Sequence, residues 1–149
     1  MKLKLKHIIP AISLSTMLVS CGENHDSGHH TAAEEEHGHG HDEVSLGSFT
    51  AGDMKIEASQ GHGKVEAGKE GHLVLKLPHK DKGATVVRAW IGTEDRTMSA
   101  VGKGDYDASH NVYNIHANAP KPLPAGAKWW VEIEKPDGTK AVGSVAAKM

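Results

Sequence analysis

The sequence predicts an all-β domain over residues 44–149, a small antiparallel Ig-like β-sandwich. Apolar and polar residues alternate with a period of two in several short stretches, which is typical of half-buried strands. Gly and Pro residues lie between these stretches as turn signals. No stretch after the first twenty residues keeps an apolar period of 3.6 over ten residues, so no amphipathic helix is predicted.

Seven or eight short strands are expected. The alternation is clearest in 129–134, and the turn sequence Pro136-Asp137-Gly138 joins that stretch to a hairpin partner. The candidates in chain order are 44–49, 54–58, 73–77, 84–92, 97–101, 112–117, 129–134 and 140–146, of which the first and the fifth have the weaker pattern.

The period of two also assigns side chains to the two faces of each strand. The alternate apolar residues of 84–92, 112–117 and 129–134 are expected to face the core, so the residues between them face outward. Large aromatic rings on an outward face are typical of a contact surface, unless loops or Arg88 cover them. The predicted partner surface consists of Arg88, Trp90, His116 and Trp130.

Residues 1–20 have the pattern of a secretory signal peptide, with three lysines before an apolar stretch. That stretch is too short to cross a bilayer as a helix. It ends at Leu18-Val19-Ser20-Cys21, which resembles the lipobox of bacterial lipoproteins. The resemblance implies that Cys21 is acylated, for example with palmitate, and becomes the N-terminus. Because Gly22 rather than Asp follows Cys21, it also implies a lipid-anchored protein of the bacterial cell envelope, on the outer membrane and facing the periplasm.

Residues 21–43 differ in composition from the predicted domain. The segment 22–43 holds seven acidic residues, six histidines and no Lys, Arg or aromatic residue. Such a segment cannot bury enough apolar surface to offset the entropy lost on ordering its backbone. It is expected to be a disordered linker that tethers the domain to the lipid.

The histidines of this linker are the predicted metal ligands. His37, His39 and His41 are separated by single glycines, so a flexible backbone can bring two or three rings to one ion beside Asp42. Nitrogen and oxygen ligands favour Zn(II), Ni(II), Co(II) or Cu(II) over Cu(I). The predicted ligand set is His25, His29, His30, His37, His39, His41 and Asp42. The alternative is a solvated spacer that happens to be rich in His and Gly.

The domain shows no catalytic pattern, so the protein is not predicted to be an enzyme. No nucleophile elbow, phosphate-binding loop, dinucleotide fingerprint or metalloprotease motif occurs in it. No basic stretch is present for nucleic acid. The five domain histidines, which are His62, His72, His79, His110 and His116, are expected to be ordinary surface residues.

Two segments, VRAWIGTED at 87–95 and APKPLPAGAKWWVEIEKPDGTKAVGSV at 119–145, resemble parts of small bacterial envelope lipoproteins of uncharacterised function. Such proteins join a His-rich acidic leader to a small β domain, and some resemble accessory proteins of heavy-metal resistance systems. The resemblance implies a metal-related role and supplies no catalytic residues.

Two functions remain open on the sequence. In the first, the lipoprotein binds divalent transition metals through the His-rich tail, to buffer, capture or hand over ions beside a transport or efflux protein. In the second, the β domain is a non-enzymatic interaction module that binds an envelope partner, and the tail is only a tether. Deletion of residues 22–43 separates them, because only the first predicts loss of metal binding.

Overall fold

A computed structural model describes residues 42–149. This part of the chain folds into eight β-strands and contains no helix. The strands are β1 (Val44–Ala51), β2 (Met54–Gly61), β3 (Glu70–Lys76), β4 (Val86–Gly92), β5 (Val101–Asp107), β6 (Val112–Asn118), β7 (Lys128–Glu134) and β8 (Lys140–Val145). The all-β antiparallel class is thus confirmed.

Hydrogen bonds join the eight strands into one antiparallel sheet in the order β1-β2-β3-β6-β5-β4-β7-β8. β3 lies beside β6, and β4 lies beside β7, so both longer connections pass over two strands in the Greek-key manner. The sheet curls until its two edges meet. Gly143 in β8 lies so close to β1 that a Cβ there would come within 2.5 Å of the Thr50 carbonyl oxygen. The sheet is therefore nearly closed around one core.

The core is built from the alternate residues that the period of two assigns to the inner face. In β4, Val87, Ala89 and Ile91 are fully buried. In β7, Trp129, Val131 and Ile133 are fully buried as well. The residues between these inward positions face outward and are of two kinds, the charged Arg88 and Glu132 and the aromatic Trp90 and Trp130.

The turn between β7 and β8 forms as its sequence predicts. Gly138 has a positive φ of 84°, which a glycine adopts without steric cost. The Lys135 backbone N–H donates to the Thr139 carbonyl at 2.9 Å, and the Asp137 carboxylate accepts from the Thr139 N–H at 2.8 Å. These bonds close a short hairpin.

One predicted strand is misplaced. The candidate 97–101 has a turn at 97–98 and no regular structure at 99–100, and the strand lies at Val101–Asp107 instead. Gly102 and Gly104 weaken the strand pattern there, yet the fold needs them small. A Cβ at Gly102 would overlap the His116 carbonyl oxygen, and a Cβ at Gly104 would lie 3.2 Å from Val87 and Ile115 side-chain atoms. Close packing across the curled sheet thus overrides the low strand propensity of glycine.

Candidate functional site

Most of the predicted metal ligands precede the described residues. Cys21 and the six tail histidines lie outside residues 42–149, and so do the predicted signal peptide and nearly all of the linker. Asp42 is described and exposed, immediately before β1. What the structure shows about the tail is therefore the place where it enters the domain, at Asp42 before β1.

The start of β1 lies beside the end of β2. Val44 is the register partner of Gln60, which is followed by Gly61 and His62. Glu43 is close enough to influence the charge of His72 electrostatically. The His-rich segment therefore joins the fold beside two histidines of the domain.

Three domain histidines meet on the outer face of the sheet, and we call them the histidine triad: His62, His72 and His116. His72 in β3 and His116 in β6 are register partners, and their rings stack with centroids 4.5 Å apart and planes 5° from parallel. The His62 ring follows β2, with its centroid 5.0 Å from that of His72 and 6.0 Å from that of His116. The remaining histidines, His79 and His110, are exposed, as expected, and take no part in the triad.

His72 is the buried member of the triad, with only 7% of its surface exposed. This differs from the expectation of a surface histidine, because the rings of His62 and His116 lie over it. Its Nε2 bonds to Asn114 Oδ1 at 3.2 Å, whereas its Nδ1 is buried with no hydrogen-bond partner. Burial lowers the pKa of His72, although the bond to Asn114 opposes the shift, so the neutral form of the ring is favoured.

The other two histidines, His62 and His116, are exposed, and the structure shows what surrounds each of them. His116 Nδ1 lies 3.1 Å from Glu70 Oε1. His62 adopts a positive φ of 57° in the turn after β2. That turn is held by the buried amide of Gln60, whose Nε2 donates to the Gly63 carbonyl at 2.5 Å. The backbone of Gly61 lies directly against His72, since a Cβ there would be 2.5 Å from Nδ1.

The side chains as they stand do not chelate an ion. Within residues 42–149, no group of three or more His, Cys, Asp or Glu side chains is arranged to hold a metal. The parallel stack of His72 and His116 explains this for the triad, because stacked rings direct their nitrogens side by side and not toward a common point. The arrangement is a compact group of three imidazoles beside the carboxylate of Glu70.

The predicted partner surface divides into two separate places. Arg88, Trp90 and Trp130 lie on the outward side of β4 and β7, where Trp90 and Trp130 are register partners with ring centroids 6.4 Å apart. His116 lies on β6, and β5 separates that strand from β4. The sequence could not reveal this separation, because it does not specify the strand order.

The outward tryptophans are largely covered by the protein itself. Trp90 is fully buried, because the guanidinium of Arg96 lies 4.3 Å from its ring centroid and its indole N–H donates to the Thr93 carbonyl at 2.7 Å. Trp130 is half-buried and donates to the Gly92 carbonyl at 3.0 Å. The loop after β4, not Arg88, thus covers the ring that was expected to be open. Partner binding by this face stays a prediction.

Arg88 belongs to a charged network on the same face. Its guanidinium donates to Glu132 at 3.1 Å and to Glu134 at 2.9 Å, and Arg96 also pairs with Glu132. The hydrogen bond that Arg88 donates to Glu134 is the main cause that raises the pKa of Arg88. The pairing of Arg96 with Glu132 holds its guanidinium over the indole of Trp90, and this is why the ring is covered.

Sequence reasoning missed the triad because its members come from three separate stretches of the chain. The alternation in 112–117 assigns His116 to the outward face, and the same alternation in β3 places His72 on the face that carries the exposed Lys76. Pairing of β3 with β6 brings the two together, and this non-consecutive neighbour follows from topology, not from local pattern.

No helix among residues 42–149 is long and apolar enough to cross a bilayer. Compared with known proteins, the chain matches no protein-family model, no curated protein and no solved structure.

Proposed function

We propose that this protein is a lipid-anchored envelope protein that binds divalent transition metal ions through its His-rich tail. The observation that carries the proposal is the register of β1 with β2, which joins the tail to the fold beside His62. The tail supplies six histidines and seven acidic residues within residues 22–43, and these are the donors that borderline ions such as Zn(II), Ni(II), Co(II) and Cu(II) prefer.

The distances along the chain support a role for the domain in this binding. His41 precedes Val44 by three residues, so covalent geometry limits the separation of their Cα atoms to about 11 Å. Val44 in turn is the register partner of Gln60. An ion captured at the end of the tail is thus held close to the histidine triad. The domain acts as the folded end of a metal-handling surface, and the acyl chains on Cys21 hold it at the membrane.

Calorimetric titration of the mature chain tests the proposal. Replacement of His37, His39 and His41 together by alanine should weaken zinc binding more than replacement of His25, His29 and His30, because the glycine spacers let the first three rings converge beside Asp42. The second triple variant is the matched control, since it removes the same number of imidazoles. Equal affinity of both variants and the parent at pH 7.5 would contradict the proposal.

That contradicting result would favour the alternative, in which the β domain is an interaction module and the tail a tether. The half-buried Trp130 and the charges around Arg88 would then be the surface to test. Deletion of residues 22–43 separates the two functions directly. Under the proposal the deletion removes most metal binding, whereas under the alternative it leaves binding of an envelope partner and of metal unchanged.

A further inference from the structure

We propose that the histidine triad forms a pH-sensitive contact, which holds the end of β2 against β3 at neutral pH and releases it when the rings take up protons. The contact consists of three imidazoles whose centroids lie 4.5 to 6.0 Å apart, together with the backbone of Gly61. Histidine is the side chain whose charge ordinarily changes between pH 5 and 8. The inference does not use metal binding by the tail, so either proposal can fail without the other.

The surroundings of His72 accept only the neutral ring. His72 is 7% exposed, its Nε2 lies 3.2 Å from Asn114 Oδ1, and its Nδ1 is buried with no hydrogen-bond partner. With Nε2–H donating to Asn114, Nδ1 carries a lone pair and no proton. An imidazolium has a second N–H at Nδ1, and the Gly61 backbone lies against that atom, since a Cβ there would be 2.5 Å from it. The second proton therefore has neither an acceptor nor space for water while Gly61 stays in place.

The stacked ring of His116 makes a charge on His72 still less favourable. The two centroids are 4.5 Å apart, and the ring planes are 5° from parallel. Glu70 Oε1 lies 3.1 Å from His116 Nδ1, so a charge on His116 has a carboxylate beside it, whereas His72 bonds only to the neutral amide of Asn114. Two positive rings at this separation repel each other. Protons on both rings therefore favour separation of the stack.

The groups around His72 together favour its neutral form. Burial is the largest cause that lowers the pKa of His72, and His116 and His62 lower it further, while Asn114 and Glu43 oppose the shift without reversing it. The unfolded chain therefore takes up this proton more readily. The stability that neutral His72 contributes is complete above about pH 6.5 and is lost as the pH falls below that value. The charged or titratable side chains on the elements around the ring are Glu70 on β3, His62 after β2, His116 on β6, Lys103 and Asp105 on the outward face of β5, and Glu43 before β1.

The part of the chain that this contact releases is short. Gly61 is the register partner of His72 and the last residue of β2. Gln60 precedes it and is anchored in the core through its side-chain amide, so β2 as far as Gln60 stays in place. Movement of residues 61–63 away from β3 is therefore enough to expose Nδ1 to water. Val44 at the start of β1 is the register partner of Gln60, so the tail enters the domain beside this opening.

Amide hydrogen exchange of the mature chain at pH 7.5 and 5.5, in the presence of a chelator, tests the inference. When only the open form takes up a proton, the opening equilibrium changes up to tenfold for each pH unit below about 6.5. We expect the protection factors of the protected amides in residues 60–63 to fall about tenfold at pH 5.5. The amides of residues 129–133 in β7 should keep their protection. The chelator removes metal from the tail, so the result does not depend on the tail.

Three variants identify the histidine responsible. His72→Phe keeps a buried ring that cannot take up a proton, and it should abolish the fall in protection. His116→Gln changes an exposed residue, so it serves if His72→Phe does not fold, and it should reduce the fall by removing the like charge. His79→Gln is the matched control, because it removes an exposed histidine outside the triad and should leave the tenfold fall unchanged.

Circular dichroism checks that each variant is folded. Equal protection of residues 60–63 at the two pH values in the parent would overturn the inference. An undiminished fall in His72→Phe or His116→Gln would overturn it as well, because the triad would then not be the group that responds to acid. A fall of the same size in residues 129–133 would show that acid destabilises the whole domain, which contradicts a local opening.

Discussion

Replacement of Gln60 by alanine should strongly destabilise the domain and loosen the turn that carries His62. Gln60 is 1% exposed and lies at the end of β2. Its Oε1 accepts from the Trp129 indole N–H and from the Lys148 backbone N–H, each at 3.1 Å. Its Nε2 donates to the Gly63 carbonyl at 2.5 Å and to the Lys148 carbonyl at 3.0 Å. One side chain thus joins the core, the turn and the C-terminal segment.

The magnitude follows from the groups that alanine would leave unpaired. The Trp129 N–H is buried, and an unsatisfied buried donor costs about 1–3 kcal/mol. The Lys148 and Gly63 groups are partly buried, so water can replace some of what they lose. Together with the lost side-chain volume, we expect a loss of about 3 kcal/mol. For a domain of this size that lowers Tm by about 12 °C or more.

Thermal unfolding of the mature chain, followed by near-ultraviolet circular dichroism of the tryptophans, measures this loss. Asp53→Asn is the control, because Asp53 pairs with Lys135 on the surface and exposed pairs contribute at most about 1 kcal/mol. The reasoning would be refuted if Gln60→Ala melted within about 3 °C of the parent. That result would mean that water or a shifted turn satisfies the groups that Gln60 bonds.

Four further predictions concern the anchor, the domain and pH. Cys21→Ser should prevent acylation, and mass spectrometry of the mature protein should find lipid on Cys21 only in the parent. Residues 44–149 should unfold cooperatively in the presence of a chelator; an uncooperative transition that zinc restores would contradict this. Although burial raises it, hydrogen bonds from Thr85 and Tyr113 hold the pKa of Asp81 below its ordinary value. The stability from this depressed pKa is present above about pH 4 and is lost as the pH falls through the folded-state value, so Asp81→Asn should flatten the acid limb of a plot of Tm against pH. Zinc affinity of the tail should fall by roughly two to three decades from pH 7.5 to 5.5, because protons compete for the same imidazole nitrogens, and a titration independent of pH would exclude histidine ligands.

The sequence predicts most of the strands because apolar and polar residues alternate clearly in the strands that contribute large side chains to the core. In β4 and β7, the inward assignments of Val87, Ile91, Trp129 and Ile133 are all confirmed by burial. The signal fails in β5, where glycine is selected by close packing against neighbouring strands and not by strand propensity. Local pattern cannot report a constraint that arises only when the sheet curls.

The candidate site is less predictable for a related reason. His72 and His116 are 44 positions apart, and only the pairing of β3 with β6 makes them neighbours. The covering of Trp90 by Arg96 likewise depends on how the loop after β4 folds back. Parity assigned both His116 and Trp90 to the outward face, but it does not say what else lies on that face. Strand order and loop conformation determine that.

The most direct test of metal binding by the tail is the zinc content of the mature protein after equilibrium dialysis at pH 7.5, measured by mass spectrometry of the metal. The comparison is between the parent and the variant in which all six tail histidines are alanine. We predict that the parent retains more zinc per chain than the variant, and that a chelator removes the difference without unfolding the domain. Equal zinc content in the two proteins would contradict the account.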